Sequence, residues 1–300
     1  MPAPQGRGVR VGVDIGGTFT DLVLARSDGT AAIAKLATTP DDPSEAVVAG
    51  IRELLAAEGI APATVVEVVH GTTVGSNTIL QKSGARTGLL TTRGFRDTLE
   101  IARIRTPGMF DLAWEKPEPL VPRRYRLEID ERILADGRVL RPLDAGSVHD
   151  ACRRFVAEGI EAVAICLINS YVNPAHEEAV RDLLAKEYPQ FLDTASCDVL
   201  PEIKEYERTS TTVVNAYLLP AMRLYLDRLA ERLAGAGIAA PILVMASNGG
   251  TLSLATASRK PVFVVASGPA GGVIGAARLG RASADADLVV FDMGGTTAKA

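Results

Sequence analysis

Two short phrases at opposite ends of the chain constrain its fold more than any other feature: residues 14–21 read DIGGTFTD and residues 292–300 read DMGGTTAKA. Both contain Asp-x-Gly-Gly-Thr, and each follows a run of β-formers, VRVGVDI in one case and DLVVFDM in the other. A strand that stops at Gly-Gly and resumes as TFTDLVLA predicts a β-hairpin with a glycine tip. A tip without side chains lets a polyphosphate come close to backbone N–H groups, which form an anion-binding nest. An Asp that closes the preceding strand can hold Mg2+ through its waters, because this ion uses one or two carboxylates beside phosphate oxygens. Two such hairpins facing each other would clamp one polyphosphate from both sides.

These arguments select a polyphosphate and Mg2+ as the expected ligands. Asp14 and Asp292 are the metal-binding and catalytic carboxylates. The first hairpin offers Gly16, Gly17, Thr18 and Thr20 to the phosphates, and the second offers Gly294, Gly295, Thr296 and Thr297, with Lys299 following. A single Asp-x-Gly-Gly-Thr arises by chance in well under ~1% of chains of this length, so two unrelated tight hairpins are a poor explanation.

A length of 300 residues allows about two domains of ~150 residues, each able to bury a core. The net charge of −4 advertises neither nucleic acid nor an anionic membrane as a partner. Three cysteines without a C-x-x-C spacing argue against a disulfide framework and against a zinc or iron–sulfur site. The opening MPAPQGRGVR has no apolar stretch of the kind a secretion signal carries, and the longest uncharged run is broken by Pro and Gly. The expectation is a soluble cytoplasmic protein.

Along the chain, Asp42-Pro43-x-Glu45 opens a helix whose apolar face is Val47, Val48, Ile51, Leu54 and Leu55. TVVEVVHGTTVGSNTILQKSG predicts a strand, a polar loop at residues 70–73 and a helix, and RTGLLTT another strand. Prolines make residues 93–140 irregular, after which helix and strand alternate as in a parallel α/β unit. A helical pattern over 205–233 is interrupted at Pro220. PILVMAS, PVFVVAS and DLVVFDM then read as three short buried strands.

Further site candidates come from the loops. His70 stands where side chains emerge into a cleft and is a candidate catalytic residue for orienting substrate or moving a proton, against the alternative of a hydrogen-bonded structural histidine. Thr72, Thr73 and Asn77 are candidate substrate contacts or caps of the next helix. Arg93 and Arg103 are candidates for binding a substrate carboxylate, the alternative being ion pairs with Asp97 and Glu100. Glu205 and Arg208 lie three apart on a helix and are able to pair with each other. His149 and His176 are expected at the surface.

The paired phosphate hairpins resemble the actin, heat-shock chaperone and sugar kinase superfamily, and SGPAGGVIGAARLG fits that fold's connecting helix. Within it, VGVDIGGTFTDLVL, HGTTVGSNTILQKSGARTGLLTTRGFRDTLEIAR, LPEIKEYERTSTTVVNAYL, SNGG with SGPAGG, and FDMGGTTAK resemble the hydantoinase A and 5-oxoprolinase family in order along nearly all of the chain. The resemblance implies an α/β fold made of an actin-like ATPase lobe with an inserted α/β subdomain, the second lobe truncated after its first hairpin. The expected divisions are 9–88, the insertion at 89–200, 201–285 with the connecting helix, and 286–300. A piece ending there is expected to lack the adenine site and to be inactive alone.

The activity implied is ATP-dependent hydrolysis of a cyclic amide of the hydantoin or 5-oxoproline type, or the ATP-dependent subunit of a ketone carboxylase. A small-molecule kinase and a non-enzymatic actin-like ATP-binding protein are further alternatives. An amide is a poor electrophile, and phosphorylating its oxygen activates it, so catalysis becomes mainly placement and charge neutralisation. The implied partners are a small-molecule substrate, a hydantoinase B-type subunit or domain, and further copies of the chain.

Overall fold

The computed structural model describes residues 8–104, 108, 111–283, 287–293 and 298–299. The fold is mixed α/β and divides into two compact units, residues 1–83 with 221–300, and residues 84–220. Among the described residues no helix is long and apolar enough to cross a membrane.

The first unit starts with an antiparallel meander, β1 (Val9–Ile15), β2 (Phe19–Ala25) and β3 (Ala31–Ala37). Helix α1 (Pro43–Ala57) then leads to β4 (Val65–Thr72), parallel to β1, and to α2 (Val74–Leu80). Side chains alternate across a strand. Val11, Val13 and Ile15 of β1 and Leu22 and Leu24 of β2 are therefore buried together, while Arg10 and Asp14 face outward. The buried face is covered by Val47, Ile51, Leu54 and Leu55 of α1. Each such side chain contributes about 1.5–3 kcal/mol when fully buried. The Asp42 side chain caps α1 by accepting the Ser44 N–H at 3.1 Å. Gly50 lets the helix lie close: a methyl there would stand 2.6 Å from Leu36 Cδ2 and 2.7 Å from Leu22 Cδ1.

The second unit is built on β5 (Thr87–Thr92). It continues through α3 (Thr98–Ile101), β6 (Arg126–Ile129), the small hairpin β7 (Arg132–Ile133) and β8 (Val139–Arg141), and α4 (Ala145–Ala157). There follow β9 (Ala162–Cys166), α5 (Ala175–Glu187), β10 (Leu192–Ala195) and α6 (Ser196–Val199). Strands β10, β9, β5 and β6 form, in that order, a wholly parallel sheet. Strands β5 and β9 are buried along their whole length, as parallel strands covered on both faces must be. The proline-rich stretch expected to be irregular thus supplies one sheet strand, β6. Four residues bounded by turns are too few to show a period.

At the carboxyl ends of these strands lies a buried polar network. Glu177 accepts the Leu167 N–H at 2.7 Å, the Ser196 hydroxyl at 2.6 Å and the Cys197 N–H at 2.8 Å. His176 is not a surface residue: its Nδ1 meets Glu131 Oε2 at 2.7 Å inside the unit. Arg208 does not pair with Glu205. Its guanidinium is fully buried and donates to the Leu167 carbonyl at 2.8 Å.

Helix α7 (Glu205–Gly235) runs unbroken past Pro220, although the ring removes one intrahelical hydrogen bond. Beyond it, β11 (Ile242–Met245) pairs parallel with β4, and β12 (Thr251–Ser253) completes the first sheet in the order β12-β11-β4-β1-β2-β3. After α8 (Leu254–Arg259), PVFVVAS is not a strand: Pro261–Val264 is a 3-10 turn, and α9 (Ser267–Ser283) starts directly after it. A short apolar run does not distinguish a buried strand from a buried turn. Of DLVVFDM only β13 (Asp292–Met293) is extended and paired, antiparallel to β14 (Ala298–Lys299).

Candidate phosphate-binding site

Asp14 reaches the outer face of the first sheet because its neighbours Val13 and Ile15 take the core. Its register partner on β4 is Gly71, and the Asp14 carboxylate occupies the space a side chain there would need, with a methyl falling 2.8 Å from Oδ1. Just beyond, the Gly16 N–H donates to the Phe19 carbonyl at 2.8 Å and closes the β1–β2 turn. Thr38 holds the tip from behind, its N–H donating to the Thr18 carbonyl at 2.9 Å and its hydroxyl to the Gly16 carbonyl at 3.0 Å.

This hairpin forms one wall of a cavity of about 620 Å³ that is lined by Asp14, Gly16, Gly17 and Thr18 and also by Asp292. Thr73, Ser76 and Asn77 form a second wall, and Gly268 and Pro269, in the first turn of α9, a third. The Ser267 hydroxyl fastens that helix to the end of β4, donating to the Thr72 carbonyl at 3.0 Å and accepting the Thr72 N–H at 3.2 Å. A helix N-terminus carries partial positive charge and suits an anion. Lys35 stands at the rim, bound to Asp21 at 2.8 Å and lying 4.9 Å from the centre of the Phe19 ring.

Two carboxylates would repel a bare polyphosphate, but they suit one carrying a divalent cation. The described residues contain no group of three metal-ligating side chains. Two carboxylates on one cavity fit Mg2+, which keeps waters and takes one or two carboxylates with phosphate oxygens. Asp14 and Asp292 are the residues that would hold it.

Of the residues selected from sequence, Asp14, Gly16, Gly17, Thr18, Thr73, Asn77 and Asp292 line this one cavity. Three do not. Thr20 and Thr72 are both in register with Ile15 and so face the core, where the Thr20 hydroxyl meets that of Thr38 at 3.0 Å and Thr72 Oγ1 accepts the Val74 N–H at 3.1 Å. His70, in register with Val13, is fully buried on that same core face, its Nε2 hydrogen-bonded to the Tyr225 hydroxyl at 2.6 Å. Burial lowers its pKa to about 4 and pushes that of Tyr225 up. This is the structural alternative for His70: a neutral ring inside the fold does not reach a ligand on the opposite sheet face.

Arg93 and Arg103 belong to the second unit, where Arg93 pairs with Asp130 at 2.7 Å and Arg103 grips Glu207 through Nε at 2.7 Å and a terminal nitrogen at 2.5 Å. Asp97 and Glu100 are taken by Arg123 and Arg126 instead. Gly294, Gly295, Thr296 and Thr297 lie outside the described residues. Lys299 is in β14, in register with Asp292. Sequence reasoning missed Gly71, Lys35, Thr38 and Ser76. Of these, only Lys35 carried a signal, as the one charge in the β3 run AAIAKLA.

With this geometry established, the similarities of the chain can be set beside it. The model of the hydantoinase/oxoprolinase N-terminal region matches residues 10–188, and that of hydantoinase/oxoprolinase matches residues 208–300. The chain belongs to the hydantoinase/oxoprolinase family. It is 39% identical over 297 residues to the uncharacterized protein MJ0964 of Methanocaldococcus jannaschii, covering 98% of this chain and 43% of that one. It is 34% identical over 294 residues to the caprolactamase subunit alpha of Pseudomonas jessenii, covering 96% and 42%. The crystal structure of that ATP-dependent caprolactamase superposes with a TM-score of 0.85. Nucleotide-free acetone carboxylase, from work on ATP-dependent acetone carboxylation, superposes with a TM-score of 0.88 at 30% identity, over 97% of this chain and 43% of that one. The chain spans about two fifths of the length of these relatives.

Proposed function

We propose that this chain is the phosphate- and Mg2+-binding part of an ATP-dependent enzyme that opens a cyclic amide by phosphorylating its oxygen. The observation that carries this reading is the single cavity lined by Asp14, by the glycine tip behind it and by Asp292 from the far end of the chain. In an actin-like ATPase lobe two hairpins face one nucleotide, and the pairing of β13 with β14 supports a second hairpin. The insertion within such a lobe would carry determinants of partner or substrate.

In the reaction, the amide oxygen forms a bond to the γ-phosphorus while the bond from phosphorus to the β–γ bridging oxygen breaks and ADP leaves. Water then adds to the activated carbon, and the carbon–nitrogen bond breaks to give an amine and an acyl phosphate. A second water releases inorganic phosphate and a carboxylate. Bound Mg2+ supplies charge neutralisation at the phosphates. Asp14 and Asp292 would hold it, the tip amides and the start of α9 would stabilise the phosphate oxygens, and Thr73 and Asn77 would border the transfer path. Fixed donors aimed at developing charge are the largest single source of rate acceleration in such sites.

A second reading, the ATP-dependent subunit of a ketone carboxylase, is favoured by the close superposition on acetone carboxylase. A ketone oxygen would take the phosphoryl group in the same geometry. The experiment that separates them measures phosphate release from Mg·ATP by the complete enzyme with its partner subunit. The substrates are cyclic amides on one side and ketones with bicarbonate on the other. Release that depends on amides alone is the expected result, and release that depends on ketones alone would replace the first reading with the second.

A further inference from the structure

Thr20 faces the core, yet its hydroxyl begins a chain of hydrogen bonds that leads back to the glycine tip. The Thr38 hydroxyl has one proton and gives it to the Gly16 carbonyl at 3.0 Å. The Thr20 hydroxyl, 3.0 Å from Thr38 Oγ1, is therefore the donor of that pair. The backbone of Thr38 acts on the same tip, its N–H donating to the Thr18 carbonyl at 2.9 Å. One residue, placed just past the end of β3, thus draws two carbonyls of the tip to its own side.

A trans peptide sets its C=O and N–H on opposite sides of the chain. With the Gly16 carbonyl drawn toward Thr38, the Gly17 N–H turns the other way, and the bond on the Thr18 carbonyl turns the Phe19 N–H likewise. Thr38 borders a space of about 370 Å³ behind the tip and not the cavity of about 620 Å³ in front, which Gly17 and Phe19 line. Away from Thr38 is therefore toward the larger cavity. Among the described residues the Gly17 N–H has no acceptor. An open backbone donor beside a cavity is what an anion-binding nest requires.

Taking the larger cavity as the phosphate site, as proposed above, we infer that Thr38 is the positioning residue of the first hairpin: it holds the tip peptides so that the Gly17 and Phe19 N–H groups face a phosphate oxygen. Neither Thr38 nor Thr20 lines that cavity. Thr20 acts one step further back, fixing the Thr38 hydroxyl so that its proton stays on the Gly16 carbonyl. Closing the turn does not need these bonds, because the Gly16 N–H already donates to the Phe19 carbonyl at 2.8 Å. Orienting it does. Two adjacent glycines have the largest backbone freedom of any pair, and donors fixed before a ligand arrives bind it at a smaller entropic cost.

The test uses the complete enzyme, with Mg·ATP and magnesium tripolyphosphate as probes, titrated by calorimetry beside thermal unfolding. The variants are Thr38→Val, Thr38→Ser, and Thr38→Val combined with Thr20→Val. Thr38→Val keeps the shape and the backbone N–H but removes the hydroxyl, and is expected to weaken both probes by about tenfold or more. Thr38→Ser keeps the hydroxyl and should bind within about threefold of wild type. Thr38→Val also leaves the buried Thr20 hydroxyl without its partner and so lowers the thermal midpoint, whereas the double variant removes that hydroxyl and recovers most of the midpoint. Affinity should not recover with it, the double variant binding within about twofold of Thr38→Val. Affinity that returns with the midpoint, as a merely structural role requires, or Thr38→Val binding like wild type, would overturn the inference. Asp14→Asn separates the two failures. If it weakens the probes while Thr38→Val does not, the phosphate site stands and the positioning role falls; if neither weakens them, the phosphate site falls as well.

Discussion

The carboxylate of Asp14 occupies the place where Gly71, its register partner on β4, would otherwise carry a side chain, so that a Cβ on Gly71 would stand 2.8 Å from Asp14 Oδ1. Gly71 is required here for space, since its backbone does not adopt a positive φ. The first hairpin can aim an acid at this cavity only because the adjacent strand has nothing at that position.

Gly71→Ala should therefore act on Asp14 without disturbing the sheet. The added methyl pushes the carboxylate away from its present position, and a misplacement of about 1 Å in such a site costs on the order of 100-fold in rate. The expected outcome is a fall of that order in kcat for ATP hydrolysis by the complete enzyme, with the thermal midpoint within a few degrees of wild type. Unchanged turnover would mean that the placement of Asp14 does not matter.

His70 makes the fold sensitive to acid. Its pKa is lowered to about 4 by burial, from an ordinary value of 6.5, so the unfolded chain binds a proton more readily than the folded one between those limits. The stability contributed by keeping the ring neutral is complete above pH 6.5 and is lost as pH falls toward 4, by about 3 kcal/mol in all. Thermal unfolding of wild type and of His70→Asn at pH 7 and pH 4.5 checks this, and the variant should lose less stability across that interval. Tyr225→Phe, which removes the partner of Nε2, should cost about 1–2 kcal/mol at pH 7.

Glu177 joins the carboxyl ends of β9 and β10 through three donors that need both carboxylate oxygens. Glu177→Gln supplies one acceptor and turns an amide N–H2 toward another donor. A loss of about 2–3 kcal/mol is expected, seen as earlier unfolding of residues 84–220 in hydrogen exchange, with nucleotide affinity unchanged. Unaltered exchange in that unit would show that the network contributes little.

The elements legible in the sequence were those with a strong local signal. Alternation and a Gly-Gly break defined β1 and β2, and Asp42 with Pro43 marked the start of α1. The site was less legible because one residue decides which face a side chain takes. A loop over residues 70–73 would offer His70 and Thr72 to a ligand. In the structure β4 continues through Thr72, so both turn inward and Gly71, which has no side chain, comes to face Asp14. Parity along a strand depends on where the strand ends, and neither composition nor motif supplies that. Arg93 and Arg103 failed for a different reason, since their partners Asp130 and Glu207 are distant in sequence and only the fold brings them together.

The central claim, that the two hairpins act on one Mg·polyphosphate, is tested most directly by a double-mutant cycle at Asp14 and Asp292 in the complete enzyme. ATP hydrolysis is measured against Mg2+ concentration for wild type, Asp14→Asn, Asp292→Asn and the double variant. Two carboxylates holding one ion act as a unit, and removing both then costs little more than removing either. The account predicts a loss of about 100-fold or more in each single variant, a raised Mg2+ requirement in both, and a double variant no worse than about threefold below the weaker single. Near-normal turnover in either single variant, or losses that multiply in the double, would contradict it.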